Sequence, residues 1–455
     1  MKINRVRIGT GLLAAGALAV GVIGSGGTPV AQAEDLCHGK PVTQMIDEDD
    51  DFTTHYGTAG DDVVVLKGSA WFTYDAKGGD DTICVGGHGS QVIGGAGDDW
   101  VSASAVTASA KIVGGVGDDS LAGSEKNDII FGGPGSDQIT GLAGNDEIYP
   151  DQLDFDHERV TEDPADTVDA GAGSDIVSVS ILSKAASAGT DTIRAGSGGD
   201  ALKIDGVAVD VDLAKGTGRA SAGGPSDHFF DVESFWAQSP ADITGSRHSD
   251  FISVGGHDSR VDAKGGADEI VVTGGDSEVS AGSGDDRVDY RADKQGGVIR
   301  LGHGRDTMLV QAGRGVEVDG GPGDDRFRLL THGEVEEDPI ATGPITAQFL
   351  GESGTDTMSW DCSSTVDVAA GTLHCTHRKA TVSFGGLQVY RATEWPRWKD
   401  TFRGGPHRDV FYGGADDDTM YGSKGNDKLT GGKGNDTADG GPGSDVCRAE
   451  VKKRC

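Results

Sequence analysis

Four nonapeptides follow one another without a gap from Gly114 to Tyr149: GGVGDDSLA, GSEKNDIIF, GGPGSDQIT and GLAGNDEIY. They set Asp119, Asp128, Asp137 and Asp146 nine residues apart. Five more, GGPHRDVFY, GGADDDTMY, GSKGNDKLT, GGKGNDTAD and GGPGSDVCR, run from Gly404 to Arg448 and carry Asp409, Asp418, Asp427, Asp436 and Asp445. A fixed period of this length argues against an ordinary layered core and for a stack of small, similar units.

Each place in the phrase has a physical reason. Glycine at the first, second and fourth places permits positive φ and close backbone approach, as a tight turn that exposes its carbonyls requires. The last three residues read as a short strand whose apolar eighth member points inward: Leu121, Ile130, Ile139 and Ile148, then Phe411, Met420 and Leu429. Ala438 and Cys447 fill that place weakly, as a terminal capping repeat would. One turn and one strand make half a coil, so two nonapeptides close a coil of 18 residues. Successive coils then stack at the strand spacing of about 4.8 Å.

Stacking makes neighbours of carboxylates, in a chain that has 74 acidic and 39 basic residues and a formal net charge of -35. Such a charge opposes any compact state and argues against nucleic acid or anionic membrane as partner. Cations are the expected partners. Low apolar content with high net charge is also the composition of disorder, and the ordered nonapeptides tell against that reading when a cation is present. Two carboxylates one coil apart repel by several kcal/mol at an effective dielectric of about 20, unless a hard divalent ion lies between them. Calcium suits the site: it accepts about six to eight oxygens in irregular geometry, whereas magnesium holds to an octahedron and its own waters.

The pattern G-G-x-G-x-D-x-U-x, with U aliphatic, resembles that of the RTX, or haemolysin-type, calcium-binding repeat proteins. The resemblance is close over the nine tandem copies and extends through degenerate ones over most of residues 57–448. It implies an all-β fold, a right-handed parallel β-roll or β-helix solenoid whose paired turns share Ca2+ through Asp side chains and glycine-loop carbonyls. Carried onto this chain, it pairs Asp119 with Asp137 and Asp128 with Asp146. Asp409, Asp427 and Asp445 would then form one rank, and Asp418 with Asp436 another.

Away from the tandem blocks, GGDD, GAGDD and GSGDD turns set Asp81 and Asp99 18 residues apart, and Asp250, Asp268 and Asp286 likewise. The half-coils between them carry Gln91, Arg260 or Ser277 near the place of the Asp, so these coils are expected to bind calcium along one edge only. Isolated copies carry Asp62, Asp175, Asp200, Asp306, Asp325 and Asp356 at drifting intervals. Replacing Asp175 is expected to do little, where replacing Asp427 should weaken two shared sites. A longer repeat sets VDLAKGT at Val211–Thr217 against VDVAAGT at Val366–Thr372, an offset of 155 that also aligns Phe229, Val232, Phe235 and Ala237 with Phe384, Leu387, Tyr390 and Ala392. It predicts two wider coils with a bulged turn and larger inward residues.

The start of the chain is different in kind. Lys2, Arg5 and Arg7 precede an apolar run to about Val30, and Ala31-Gln32-Ala33 supplies small residues for a signal peptidase. Cleavage is expected after Ala33, releasing a secreted protein with no membrane span downstream. All six Cys follow the cut, which suits disulfides. Six thiols allow about 15 connectivities; proximity alone suggests Cys362 with Cys375, Cys447 with Cys455 and Cys37 with Cys84. His374-Cys375-His377 is the competing transition-metal reading.

The expected domains are a signal peptide over 1–33, an N-terminal cap and first calcium block over 34–149, an acidic loop or linker over 150–168, a degenerate solenoid over 169–403, and a second block with a disulfide-closed cap over 404–455. Trp395 to Trp398 is read as covering an apolar coil end, with carbohydrate stacking as its alternative. No H-E-x-x-H or G-x-S-x-G occurs, and the repeats leave no separate catalytic domain. The chain therefore reads as a monomeric, non-catalytic calcium-binding protein. Two readings compete with it: an extracellular β-helix lyase or hydrolase acting on polysaccharide, and a cell-surface adhesin with cell-wall or extracellular polysaccharide as partner.

Overall fold

A computed structural model describes residues 36–48, 52–87, 90–152, 165–181, 189–206, 208–220, 226–291, 296–311, 314–330, 346–376, 380–392 and 398–455. The expected signal segment, the body of the acidic stretch at 153–164, Trp395 and His377 lie outside them. Among the described residues there is no helix; short strands alternate between two parallel ladders, so that each coil contributes one strand to each. The chain divides into two units, Met1–Gly206 with Gly218–Glu233, and Val207–Thr217 with Ser234–Cys455.

In the first unit the inward residues stack in register. Val64, Ile83, Val101, Leu121, Ile139, Val168, Ile193 and Phe229 form one rank. Tyr74, Val92, Ile112, Ile130, Ile148, Val177 and Leu202 form the facing one. Every member is buried. A coil this narrow buries only a few apolar side chains, each contributing about 1.5–3 kcal/mol. Thr167–Asp169 pairs in parallel with Gln138–Thr140, so the solenoid has resumed by Asp166, immediately after the acidic stretch. The Cys37–Cys84 disulfide ties the first strand to this ladder.

The second unit repeats the plan with larger residues. Ile252, Ile270, Val288, Met308, Phe327, Met358, Tyr390, Phe411 and Leu429 lie in one buried rank. Tyr390 and Phe402 both pack on Phe411, at centroid distances of 5.3 and 4.9 Å. The aromatic positions aligned by the longer repeat point inward as expected: Phe229 and Phe235, like Phe384 and Tyr390, are buried.

The wide coils themselves are corrected. Around VDVAAGT the chain turns back on itself: Ser364–Asp367 pairs antiparallel with Thr372–Cys375, which pairs antiparallel with Thr381–Gly385. The motif is a reversing turn. Asp367 accepts the Ala370 amide at 3.0 Å, and Gly371 follows at φ 62°. VDLAKGT builds the same turn, with Asp212 accepting the Lys215 amide at 3.0 Å and Gly216 at φ 63°. The Cys362–Cys375 disulfide spans the first two strands of this meander, and Cys447–Cys455 closes the chain end. All three proximity pairings are thus present, and the zinc reading of Cys375 falls with its disulfide.

Candidate metal site

The residue before each strand is the pivot of the turn. In the first unit the amide of Asp62 donates to Asp81 Oδ1, and the same bond recurs from Asp81 to Asp99, Asp99 to Asp119 and Asp119 to Asp137, at 2.7–2.8 Å. The rank continues to Asp166, Asp191 and finally Asp227. Along the opposite edge Asp128, Asp146, Asp175 and Asp200 are linked in the same way, and Glu233 ends the rank.

In the second unit one edge runs through Asp250, Asp268, Asp286, Asp306, Asp325 and Asp356 to Gln388. Further along, Asp409, Asp427 and Asp445 are joined. On the other edge Ser364 leads to Asp400, Asp418 and Asp436, and Glu450 closes the rank. The pairings carried over from the resemblance are therefore neighbours in these ranks. Asp175 is as fully enclosed by neighbours as Asp427, contrary to the expectation of a marginal copy. Asp166, Asp191 and Asp400 are members that the glycine pattern does not reveal.

Where the acid is missing, serine stands in its place in several turns, with Ala110 and Gly297 in two others. Ser90, Ser259 and Ser277 are buried there, and Gln91 and Arg260 are the first residues of the following strands, one position on. The Ser259 and Ser277 hydroxyls donate to the turn carbonyls of Gly256 and Gly274 at 2.8 and 3.2 Å. A neutral hydroxyl satisfied in this way closes the turn without a charge.

In most members one carboxylate oxygen is thus engaged by an amide and the other is not; Asp62, Asp128, Asp250 and Asp409 differ, their Oδ2 accepting the amide of Thr58, Ser124, Ser246 and Gly405 in their own turns. Oδ2 of Asp81, Asp99, Asp119, Asp137, Asp146, Asp166, Asp175, Asp200, Asp268, Asp286, Asp306, Asp325, Asp356, Asp418, Asp427, Asp436 and Asp445 is buried without a hydrogen-bond partner. Where the turn opens on glycine, that oxygen lies against it, beside a carbonyl from the next coil. A Cβ on Gly94 would stand 2.4 Å from Asp99 Oδ2 and 2.5 Å from the Gly114 carbonyl oxygen; on Gly422, 2.5 Å from both Asp427 Oδ2 and the Gly440 carbonyl oxygen. At these two turns only a first-place glycine leaves room for that approach, although Ala76, Ala170, Ala195, Ala263 and Ala281 hold the same place before Asp81, Asp175, Asp200, Asp268 and Asp286; positive φ is confined to the second and fourth places, as at Gly115 (125°) and Gly117 (136°).

Leaving so many anionic oxygens dry is costly. Burial pushes the carboxyls of Asp119 and Asp418 up to about 8, and those of Asp81, Asp137 and Asp146 to about 7. Asp99, Asp268 and Asp427 rise to about 6 for the same reason. Asp128, Asp286, Asp409 and Asp436 are shifted upward too, again chiefly by burial. In most of them the amide donated from the neighbouring coil pulls the other way, without prevailing.

Among the described residues no three His, Cys, Asp or Glu side chains converge on one point. A cation at these turns would instead draw one carboxylate oxygen from each turn and complete its shell with backbone carbonyls. An all-oxygen set of this kind fits a hard ion such as calcium and offers nothing to a thiophilic one.

A second, outer ladder flanks the first. Asp80 accepts the Asp98 amide at 3.0 Å, Asp98 that of Asp118 at 2.9 Å, and Asp118 that of Ser136 at 2.8 Å. Asn127, Asn145, Asp417 and Asn426 act likewise. It runs in the opposite sense, from the later amide to the earlier side chain, so each turn is tied to both neighbours. The Asp or Asn that recurs at the fifth place is its sequence signal.

The model of the RTX calcium-binding nonapeptide repeat matches this chain in four copies, over residues 113–148, 262–293, 399–429 and 412–447. The first match covers the first tandem block but for Tyr149, and the last two include Asp400 and the second block but for Arg448. No curated protein matches the chain.

Proposed function

We propose that this RTX-type repeat protein is a secreted, non-catalytic calcium-binding protein that folds as Ca2+ is taken up between its stacked turns. One observation carries the reading: the ranks of buried Asp Oδ2 atoms that no protein group satisfies. A divalent ion would neutralise the rank, and the turn carbonyls beside each Oδ2 would complete its coordination. Because the unfolded chain holds no assembled site, binding free energy becomes folding free energy. Extracellular calcium modules bind at about 10⁻⁴–10⁻³ M, and the same range is expected here.

Export is supported by the basic and apolar residues before Ala33, by six Cys placed after it, and by the typical secretion of RTX repeat proteins. No helix among the described residues is long and apolar enough to cross a membrane. The decisive experiment follows the circular dichroism of the mature chain in chelator, then through calcium and magnesium titrations. A β spectrum that returns at millimolar calcium, and not at equal magnesium, is expected; a spectrum indifferent to chelation would sink the reading.

A further inference from the structure

In a chain of net charge -35, one stretch of sheet surface carries no acid. Six successive strands of one ladder in the second unit, Arg326–Leu330, Thr357–Trp360, Val389–Ala392, Val410–Ala415, Lys428–Lys433 and Val446–Arg448, contain neither Asp nor Glu. Register sets Arg328, Ser359, Arg391, Tyr412, Thr430 and Arg448 side by side in one row. Arg326 and Lys428 belong to the row beside it.

The four arginines are exposed, and none of these five cations pairs with a described carboxylate. Upstream in the same ladder acid and base do alternate: Arg287 meets Glu269 at 3.4 Å, and Arg291 meets Asp289 at 2.5 Å. Other strands of this ladder, Ser234–Ala237, Phe251–Val254 and Thr307–Gln311, also lack acid; what sets this stretch apart is that it gathers arginines with no described carboxylate to pair them.

Tyr412 organises its centre. The Arg391 guanidinium lies 4.1 Å from the ring centroid, and Lys428 Nζ donates to the Tyr412 hydroxyl at 3.1 Å. The positive surroundings pull the Tyr412 hydroxyl below its ordinary range, the Lys428 bond most of all. Resting on the ring orients Arg391 and leaves its fork of N–H donors for an outside carboxylate. Parallel strands space such donors at about 4.8 Å per step, so Arg391 and Arg448, three strands apart, stand on the order of 14 Å from each other.

We propose that this face, built on Arg328, Arg391, Tyr412, Lys428 and Arg448, binds an acidic polysaccharide that lays its carboxylates along the arginine row. A polyuronate bears one charge per sugar, sparse enough to be held locally while the acidic remainder of the protein repels it weakly beyond a Debye length of about 8 Å. Duplex DNA, with one charge per about 1.7 Å, would meet repulsion wherever it left the patch.

The test uses calcium-saturated mature protein titrated with a short oligogalacturonate, with its methyl ester as the uncharged counterpart, and with duplex DNA. The acidic oligomer should bind with an affinity that falls as salt rises, and the ester should not. Arg391→Gln with Arg448→Gln should weaken binding by about tenfold or more, while Arg287→Gln leaves it intact. Undiminished binding by the double variant, equal binding of the ester, or preference for DNA would each overturn the proposal. The calcium titration of the same variants is followed by circular dichroism, so loss of glycan binding is told apart from loss of fold and from failure of the calcium reading.

Discussion

The amide of Asp119 donates to Oδ1 of Asp137 at 2.8 Å, while Oδ2 of Asp137 is buried with no partner. The two oxygens of one carboxylate thus differ: one joins the coils, the other is left without a hydrogen-bond partner. Asp137→Asn keeps an acceptor for the amide and removes the anion; Asp137→Ala removes both. Calorimetry should find calcium binding reduced in both variants. Thermal melts in chelator should find Asn no less stable than wild type and Ala less stable, by the loss of a buried amide's acceptor, about 1–3 kcal/mol.

Acidity should substitute in part for calcium. Burial raises the carboxyls of Asp119 and Asp418 to about 8 and those of Asp137 and Asp146 to about 7, against 3.8 for the unperturbed group. The folded chain therefore holds protons that the unfolded chain releases, and this contribution to stability is lost as pH rises from about 4 through 8. Without calcium, the urea midpoint should be higher at pH 5 than at pH 8. Calcium binding should release protons at pH 6, measurable as a buffer-dependent binding enthalpy. A midpoint that rises with pH in chelator would contradict the burial of these groups.

Asp175 and Asp400 should matter as much as members of the tandem blocks. Asp175 accepts the Asp146 amide at 2.8 Å, and Asp400 accepts that of Ser364 at 2.7 Å, each from a buried position. Alanine at either should lower the calcium-saturated melting temperature by an amount similar to Asp427→Ala. A negligible effect at both would mean that buried ranks alone do not define the sites.

The tandem blocks are legible because the nine-residue period leaves nothing to tertiary context: Leu121, Ile130, Ile139 and Ile148 face inward in the order of the repeats. Asp166, Asp191 and Asp400 escape the glycine pattern because the sequences that end on them read DPAD, AGTD and RWKD. Their signal lies downstream. Each begins Asp-Thr-apolar, as do Asp81, Asp306, Asp356 and Asp418: a β-branched residue suits the start of the strand that follows, and the second residue faces inward. The reversing turn of VDVAAGT is hidden for a different reason: antiparallel and parallel strands share one alternation of apolar and polar residues, so the pattern gives pairing without direction. The outer Asp and Asn ladder is visible in GDD and GND, yet repulsion between like charges draws attention to metal before hydrogen bonding.

Reduction should act locally at the antiparallel meander. Cys362 and Cys375 enclose a separation of 13 residues and hold together two strands that also pair through Ser364 and Cys375. A loop of about 15 residues contributes about 3 kcal/mol through the unfolded chain. Cys362→Ser with Cys375→Ser should lower the melting temperature, while amide exchange quickens most over Thr372–Cys375. Uniform quickening across the unit would show that the meander unfolds with the solenoid as one body.

Glycines that look alike in sequence should differ sharply in their tolerance of a methyl group. Gly117 holds φ at 136°, and its Cβ would stand 2.2 Å from the Gly97 carbonyl oxygen, a backbone atom of the coil below that cannot move without opening the ladder. Gly60, the fourth residue of an equivalent turn in TAGDD, has nothing within 4 Å of a Cβ and lies outside the positive-φ set. Gly117→Ala combines backbone strain with overpacking and should cost about 3 kcal/mol or more. Gly60→Ala should be neutral or slightly stabilising, because it narrows only the unfolded ensemble. Paired melts in saturating calcium check the difference, and equal losses would mean that the coils are not stacked closely enough for carbonyls to exclude a side chain.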